Sequence, residues 1–314
     1  SMRKTFLAVS AAICLATAVS AAEFINVLTG GTSGIYYPLG VALSQMYAKA
    51  IPDSKTAVQA TKASVENLNL LQAGRGEAAI SLGDSLSDAY KGNTEAGFKA
   101  PLSKLRTISA LYPNYIHFVA AADSGIKSFD DIKGKRISVG APKSGTELNS
   151  RAILAAAGIS YKDFAKVEYL SYAESVELMK NRQLDVTLLS SGAGVAALRD
   201  LATSQKVVFL TIPEEIVKKI DDPAYQVGVI PANTYEGQTS DVKTVSVQNF
   251  LVTHSGVSEQ TVYTMTKTMF ENLDQMVAAH AAAKGIKLEN AAKNPPAPLH
   301  PGAERYYKEV GVLK

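Results

Sequence analysis

The chain contains no tryptophan and a single cysteine, Cys14, among its 314 residues. One cysteine cannot form an intrachain disulfide, so disulfides cannot hold this fold together. The four histidines are scattered, and none stands at a metal-ligand spacing from another histidine, cysteine or aspartate. These absences exclude a disulfide scaffold and argue against a metal centre.

The first 22 residues have the pattern of a secretory signal peptide. Arg3 and Lys4 form a basic start. Residues 6–19 form an apolar run that is too short to span a bilayer. Small residues at 20–22 suit cleavage before Glu23. We therefore predict that residues 1–22 are removed on export and that the protein is periplasmic.

Cys14 lies inside this predicted signal, so the exported chain would carry no thiol chemistry. Ile13 precedes it where a lipoprotein signal has a small residue, and we expect no lipid anchor. Ser1 before Met2 resembles a cloning remnant. The mature chain is therefore expected to be a soluble protein outside the inner membrane.

Neither basic nor acidic residues are in large excess in this sequence. Loss of Arg3 and Lys4 from the 32 basic residues leaves 30, against 29 acidic residues. Such a balance argues against a nucleic-acid or membrane-surface partner. Beyond the predicted signal, no apolar run is long enough for a membrane helix.

Motifs of known catalytic chemistry are missing as well. Residues 140–146, GAPKSGT, have the glycine spacing of a phosphate-binding loop, but Thr146 stands where that motif has lysine. No G-x-S-x-G nucleophile elbow occurs. Lys62 and Lys143 are the lysines in or beside candidate loops, and neither has a clear partner. We predict that the protein is not an enzyme and uses no cofactor or metal.

Residues 28–50, LTGGTSGIYYPLGVALSQMYAKA, are the most informative stretch present. They follow strand-forming residues and read as a tight glycine loop leading into a helix with one apolar face. We expect glycines there because a Cβ would clash in the turn, and we expect Thr32 or Ser33 to cap the helix. Free N–H groups at a positive helix end, flanked by hydroxyls, form a small anion site.

The same strand–loop–helix pattern recurs along the chain. Residues 78–82 form a predicted strand that ends at a loop over 83–85, and residues 136–140 lead through 141–146 into another helix. Because ligands bind at the carboxyl ends of strands in open α/β sheets, these loops should meet at one site. The alternation runs twice, on either side of about residue 115. Residues 105–112 form a further predicted strand, and residues 115–121 and 245–252 are predicted strands that cross between two domains.

Serine caps mark three predicted helix starts. Ser64 is the expected N-cap of a helix that ends at residue 72, and Ser171 with Glu174 forms a predicted capping box. Ser258 caps a predicted long helix with Val262, Met265, Met269, Leu273 and Met276 on one side.

Four segments together resemble a known family. They are GGTSGIYYPLG at 30–40, ASVENLNLLQAG at 63–74, GKRISVGAPKSGTE at 134–147 and LHPGAERYYKEVG at 299–311. They are similar to the TAXI-type solute-binding proteins of TRAP transporters. The resemblance covers essentially the whole mature chain in the right order.

That resemblance implies an α/β fold of the bilobal type II periplasmic-binding-protein kind, with two α/β lobes joined by two crossing hinge strands. Lobe I would comprise residues 23–116 and 251–314, and lobe II residues 117–250. Family members pass ligand to an ion-gradient-driven membrane permease. Several bind glutamate, glutamine or 2-oxoglutarate-like acids. A sensor or surface antigen without a permease, and an enzyme on the same fold, remain alternatives.

The loops of the two halves supply the predicted ligand-binding residues. No arginine stands in these loops, so N–H groups, hydroxyls and helix ends would hold a carboxylate. If Asp84 faces the ligand, an amino acid is favoured; if Asp84 turns away, a 2-oxo acid is favoured. We expect a monomer. The predicted set is Gly31, Thr32, Ser33, Tyr36, Ser64, Asn67, Asp84, Ser144, Gly145, Thr146, Ser190 and Gly192, with Ser191 beside it.

Overall fold

A computed structural model describes residues 23–314 of the chain, and the predicted signal peptide, residues 1–22, lies outside the described residues. Within that range, ten strands form one sheet and ten α-helices cover it. The strands are β1 (Glu23–Leu28), β2 (Ser54–Gln59), β3 (Ala78–Leu82), β4 (Leu105–Ala121), β5 (Arg136–Ser138), β6 (Lys166–Glu168), β7 (Val186–Ser191), β8 (Val207–Phe209), β9 (Tyr225–Ile230) and β10 (Val242–His254). The helices are α1 (Tyr36–Ala50), α2 (Ser64–Gln72), α3 (Gly83–Lys91), α4 (Gly145–Ala156), α5 (Tyr172–Lys180), α6 (Ala196–Ser204), α7 (Glu214–Ile220), α8 (Glu259–Glu271), α9 (Leu273–Ala279) and α10 (Pro301–Glu309).

The sheet divides into two halves that share their central strands. Its order is β2-β1-β3-β10-β4-β7-β5-β6, with β8 beside β4 and β9 beside β10. Strands β1, β2 and β3 are parallel in one half, here lobe I, and β5, β6 and β7 are parallel in the other, here lobe II. The antiparallel strands β4 and β10 run through both lobes. The predicted pair of crossing strands is therefore confirmed, whereas the limits near residues 116 and 250 stay a prediction.

Strand β4 is one strand of 17 residues, where the sequence predicts two strands at 105–112 and 115–121. Pro113 lies between the two predicted pieces and pairs with Gln248 of β10. Proline lacks a backbone donor, and the register shifts between Gln248 and Phe250. Strand β4 continues past Pro113 because β10 pairs with it on both sides of this irregularity.

Apolar side chains pack on both faces of the sheet. One cluster extends over one face of both lobes and includes Leu43 of α1, Met265 of α8 and Leu198 of α6. On the opposite face, α2 and α3 cover lobe I, and α4 and α7 cover lobe II. With the helices packed in this way, the N-termini of α1, α2, α4 and α5 lie where the two lobes meet. No helix among residues 23–314 is both long and apolar enough to cross a membrane.

Several local predictions need correction. The predicted loop at 83–85 is the first turn of α3. The long helix predicted after Ser258 is interrupted at Asn272, so that α9 carries its last part. Helix α7 and strand β9 were not predicted, because each is short and has little hydrophobic periodicity.

The glycine loop differs from the prediction in its caps and its glycines. Ile35, not Thr32 or Ser33, precedes α1, and no side chain caps that helix. A Cβ on Gly31 would meet nothing within 4 Å, so steric clash does not require glycine there. The close approach is at Gly40, where a Cβ would lie 2.3 Å from Thr29 Cγ2. Glycine at 40 therefore lets α1 pack directly against the end of β1.

Candidate functional site

A cavity of about 470 Å³ lies between the two lobes. Lobe I lines it with the loop after β1, the loop before α2 and the end of β3. Lobe II lines it with the residues that lead into α4 and α5 and with the end of β7. A volume of this size suits a small organic ligand. Ligand access and enclosure both depend on how the two lobes approach each other.

Most of the predicted site residues come together here. Nine of the twelve line the cavity, and Ser191 lines it too. The nine are Gly31, Thr32, Ser33, Tyr36, Ser64, Ser144, Gly145, Thr146 and Ser190. Their contact with a ligand stays a prediction.

Asn67 and Gly192 lie outside the lining. The Asn67 side chain donates to the carbonyls of Thr29 at 2.7 Å and Ile80 at 2.9 Å, which ties α2 to the ends of β1 and β3. A Cβ on Gly192 would lie 2.9 Å from a side-chain atom of Ile35. Both residues therefore support the walls of the cavity from behind.

Asp84 also lies outside the lining. Its Oδ2 accepts hydrogen bonds from the Tyr225 hydroxyl at 2.7 Å and from Asn149 Nδ2 at 2.9 Å. Both partners belong to lobe II, whereas Asp84 begins α3 of lobe I. The carboxyl therefore bonds between the lobes, and its contact with a ligand stays a prediction.

Four helices begin at the cavity, and their N-termini differ in capping. Ser144 caps α4 by accepting from the Glu147 N–H at 3.1 Å, and Ser171 caps α5 by accepting from the Glu174 N–H at 3.2 Å. The capping box predicted from Ser171 and Glu174 is confirmed. No side chain caps α1 or α2. In α2 the Glu66 N–H donates to the Lys143 carbonyl of lobe II at 3.1 Å. Since the first N–H groups of a helix have no intrahelical partner, the remaining ones at the starts of α1 and α2 are donors that lobe I offers to an anion.

In the loop before α2, the prediction that Ser64 is the N-cap of this helix is wrong. Ala63 holds that position, with a positive φ of 79°. The Ser64 hydroxyl instead accepts from the Leu82 N–H at 3.1 Å. This bond joins the start of α2 to the end of β3, so Ser64 holds two segments of the cavity lining together.

Charge is confined to the mouth of the cavity. Lys62 and Glu174 are the charged side chains in its lining, and both are exposed. The buried part of the lining is formed by hydroxyls, the Asn114 amide, backbone and apolar atoms. An anion bound inside would be held by dipoles, and an ammonium group would find no buried carboxylate partner.

A hydrogen-bonded chain crosses the floor of the cavity. The Tyr36 hydroxyl donates to Asn249 Oδ1 on β10. Asn249 Nδ2 donates to Asn114 Oδ1 on β4 at 2.6 Å. Asn114 Nδ2 donates to the Ser190 hydroxyl at 3.3 Å, at the end of β7. The chain therefore joins a lining residue of lobe I to one of lobe II through both crossing strands.

Tyr172 forms the lobe II wall. Its hydroxyl donates to the Ser190 carbonyl at 2.5 Å and therefore accepts from Thr146 Oγ1 at 2.6 Å. Burial raises the pKa of Tyr172 to about 12, so the phenol stays neutral. Sequence reasoning missed Tyr172, Asn114 and Asn249. A signal was present for the two asparagines, since each interrupts an apolar strand that has little use for an amide.

The buried histidine of the crossing strand has a structural arrangement. His117 Nδ1 donates to the Tyr115 carbonyl at 2.8 Å, which leaves Nε2 to accept from the Tyr235 hydroxyl at 2.8 Å. Burial lowers the pKa of His117 to about 4, so the ring is neutral. In the part of the chain that the structure describes, no three metal-ligating side chains cluster.

Comparison with known proteins places the chain in a family. The sequence profile of the NMT1-like family matches residues 27–311. The chain belongs to the NMT1-like family. This match covers both lobes and every segment of the cavity lining.

Solved structures similar to this NMT1-like chain are periplasmic binding proteins and related transport components. The periplasmic binding protein BugD is 12% identical, with a TM-score of 0.57 over 93% of this chain and 99% of its own. A putative L-cystine ABC transporter from Listeria monocytogenes is 14% identical, with a TM-score of 0.52 over 85% of this chain and 99% of its own. The alkanesulfonate-binding protein SsuA from Xanthomonas axonopodis pv. citri, bound to MOPS, is 16% identical, with a TM-score of 0.50 over 92% of this chain and 85% of its own. At these identities the likeness establishes the fold, which is the predicted two-lobed periplasmic-binding-protein fold.

Proposed function

We propose that this protein is an extracytoplasmic solute-binding receptor of a TAXI-type TRAP transporter. It binds a small carboxylate between its lobes and delivers it to an ion-gradient-driven membrane permease. The observation that carries this proposal is the interlobe cavity, which presents N–H groups and hydroxyls from both lobes and has charged side chains only at its mouth. Membership in the NMT1-like family and the periplasmic-binding-protein fold of this chain support it.

The lining favours a 2-oxo acid or dicarboxylate over an amino acid. Asp84 was the candidate partner for an ammonium group, and its carboxyl is instead bonded to Asn149 and Tyr225. A carboxylate would accept from the N-terminal N–H groups of α1 and α2 and from hydroxyls such as Ser33. Three or four charge-assisted hydrogen bonds, each worth about 1.5–3 kcal/mol, would sustain roughly micromolar affinity after ordering costs.

The proposed mechanism is closure of the two lobes on the ligand about β4 and β10. The ligand would bridge the uncapped helices of lobe I and the Thr146–Tyr172–Ser190 wall of lobe II. Closure would create a surface, formed from both lobes, that the permease recognises. We expect the receptor to act in the periplasm as a monomer, without a cofactor and without chemistry of its own.

A thermal-shift screen tests the proposal. Refolded, ligand-free protein is mixed with 2-oxoglutarate, glutarate, glutamate and glutamine, with an alkanesulfonate as a comparison anion. Ligand at roughly 100 times its dissociation constant should add about 2.7 kcal/mol of stability. We expect 2-oxoglutarate or glutarate to give the largest shift.

A response to glutamate or glutamine alone would keep the receptor and overturn the oxo-acid assignment. A response to the sulfonate alone would overturn the carboxylate class. Silence across the panel would overturn small-acid binding. Uptake of the identified acid by vesicles that contain the permease encoded by a neighbouring gene then distinguishes a transport receptor from a sensor.

A further inference from the structure

The contact between the lobes includes a buried carboxyl that the solute cavity does not use. Asp84 is 3% exposed, Asn149 is fully buried and Tyr225 is buried against them. Tyr225 donates to Asp84 Oδ2 at 2.7 Å, and Asn149 donates to the same oxygen and to the Tyr225 hydroxyl, both at 2.9 Å. Since Asp84 belongs to lobe I and its partners to lobe II, this cluster forms only when the lobes are together.

Some polar atoms of this cluster have no hydrogen-bond partner. Asp84 Oδ1 and Asn149 Oδ1 are buried and have no hydrogen-bond partner, and the nearby Ser85 hydroxyl is also unpaired. An ionised carboxylate is stable in a protein interior only when its lone pairs are satisfied or a cation faces it. One proton on Asp84 Oδ1 would remove the charge and turn an unpaired acceptor into a donor.

The surroundings do not supply a counter-ion. The carboxyls of Asp88 on α3 and Asp222 before β9 raise the pKa of Asp84, so both disfavour its ionised form. Strand β3, strand β9 and the facing part of β10 carry no charged side chain. On α4 the charged neighbours Glu147 and Arg151 bond to each other, with Nη2–Oε1 at 2.5 Å. Among the described ion pairs, none includes Asp84.

We propose that Asp84 is a proton-binding site, separate from the solute cavity, that is filled when the two lobes close. In the open receptor the carboxyl loses Asn149 and Tyr225 and regains water, so it ionises as an ordinary aspartate. In the closed receptor it is held as a neutral acid. Closure therefore takes up one proton, and acid favours the closed, solute-retaining form.

The direction of this linkage follows from the two states. Burial raises the pKa of Asp84 to about 7 in the closed form, although hydrogen bonds from the Tyr225 hydroxyl and the Ser85 backbone N–H favour the carboxylate. A group whose pKa is higher in the closed form stabilises that form fully below its open-state value, near 3.9. The advantage is lost as the pH rises through about 7. The inference rests on the interlobe contact and not on the identity of the solute.

Distance measurement between two fluorophores tests it without any ligand. In the full chain, Cys14→Ser removes the native thiol, and Lys55→Cys in lobe I and Lys162→Cys in lobe II accept the dyes. The ratio of closed to open molecules is expected to rise roughly tenfold or more from about pH 8.5 to about pH 5.5. In the Asp84→Asn variant, whose amide mimics the neutral acid, the ratio should stay near its acidic value at both pH values.

Tyr225→Phe is the matched second variant, because it keeps the carboxyl and the aromatic packing. Loss of the hydroxyl that donates to Oδ2 should move the transition to higher pH. An unchanged ratio in the wild type, or a full pH response in Asp84→Asn, overturns the proposal. Repeating the measurement with 2-oxoglutarate separates the proposed solute from the proposed proton site. If the ligand-free protein responds to pH but 2-oxoglutarate has no effect on closure, the proposed ligand is wrong and the proton site is retained.

Discussion

Two buried polar regions lie between the lobes, and they have opposite character. The solute cavity presents helix N–H groups and hydroxyls around open space, and its charged residues stay at the exposed mouth. The Asp84 cluster is filled by protein atoms and buries a carboxyl against an amide and a phenol. A site for an exchangeable anion needs donors that are left free, whereas a contact that holds the lobes together must pair its donors at closure. The comparison separates residues that recognise solute from residues that govern closing.

The largest expected effect comes from keeping the lobes apart. A Cβ at Gly145 of lobe II would lie 2.7 Å from Leu82 Cδ1 and 2.7 Å from the Ser64 hydroxyl, both in lobe I. Gly145→Val should therefore disrupt both polar regions and weaken 2-oxoglutarate binding by roughly a hundredfold, about 3 kcal/mol. Isothermal calorimetry measures the affinity, and small-angle scattering measures closure.

Ala155→Val is the control for that change, since Ala155 is exposed on the same helix and lies outside the cavity lining. It should leave closure intact and alter affinity only a few-fold. If Gly145→Val closes and binds like the wild type, the inter-lobe contact at this helix terminus is not needed for binding.

A smaller effect is expected from the cavity floor alone. Tyr36→Phe removes the donor to Asn249 Oδ1 and leaves a buried acceptor short of a partner. The free energy of unfolding should fall by about 2 kcal/mol, measured by urea denaturation. Tyr37→Phe is the control, because Tyr37 is only half-buried and lies outside the lining. Equal stabilities of the two variants would contradict a supporting role for the floor network.

Two buried titratable groups, His117 and Asp84, should respond to acid in opposite directions. Burial lowers the pKa of His117 to about 4, so the unfolded chain binds that proton first and stability falls as the pH drops from 6.5. Asp84, with its pKa raised to about 7, gains stability over the same interval. As the pH falls between the folded and unfolded pKa values of each residue, the free energy of unfolding of Asp84→Asn should fall by about 1.4 kcal/mol per pH unit relative to the wild type. That of His117→Gln should rise relative to the wild type by as much.

Denaturant unfolding at several pH values measures those slopes. Charges elsewhere in the protein add the same slope to all three proteins, so the differences isolate the two residues. Parallel curves for wild type and Asp84→Asn would show that the carboxyl is ionised in the folded protein.

The smallest effect is expected from one hydroxyl of the cavity wall. Thr146→Val removes the hydrogen bond to Tyr172 and should weaken 2-oxoglutarate binding about fivefold, near 1 kcal/mol. Thr203→Val serves as control, since Thr203 is exposed and bonds only within its own helix. A larger loss in the control than in Thr146→Val would contradict the assignment of this wall to solute binding.

Much of the local structure could be predicted from the sequence. The strand at Ala78–Leu82 and the capping box of Ser171 and Glu174 follow from residues within a few positions of each other. The two crossing strands and the α/β alternation were also predictable, because hydrophobic runs of the right length repeat in order. The cavity lining was largely anticipated since loops after parallel strands must meet at one edge.

What the sequence alone determined is therefore the set of strand–loop–helix units, their order, and the glycine-containing, hydroxyl-rich segments at the ends of β1, β3, β5 and β7. Only the tertiary structure decided which polar side chains face the solute and which face each other. Tyr36 meets Asn249 across 213 residues, and Asp84 meets Tyr225 across 141. Periodicity and capping act over a few residues, whereas the partner of a buried polar group is set by the packing of two lobes, and for that reason Asp84 could not be assigned from its strand-end position.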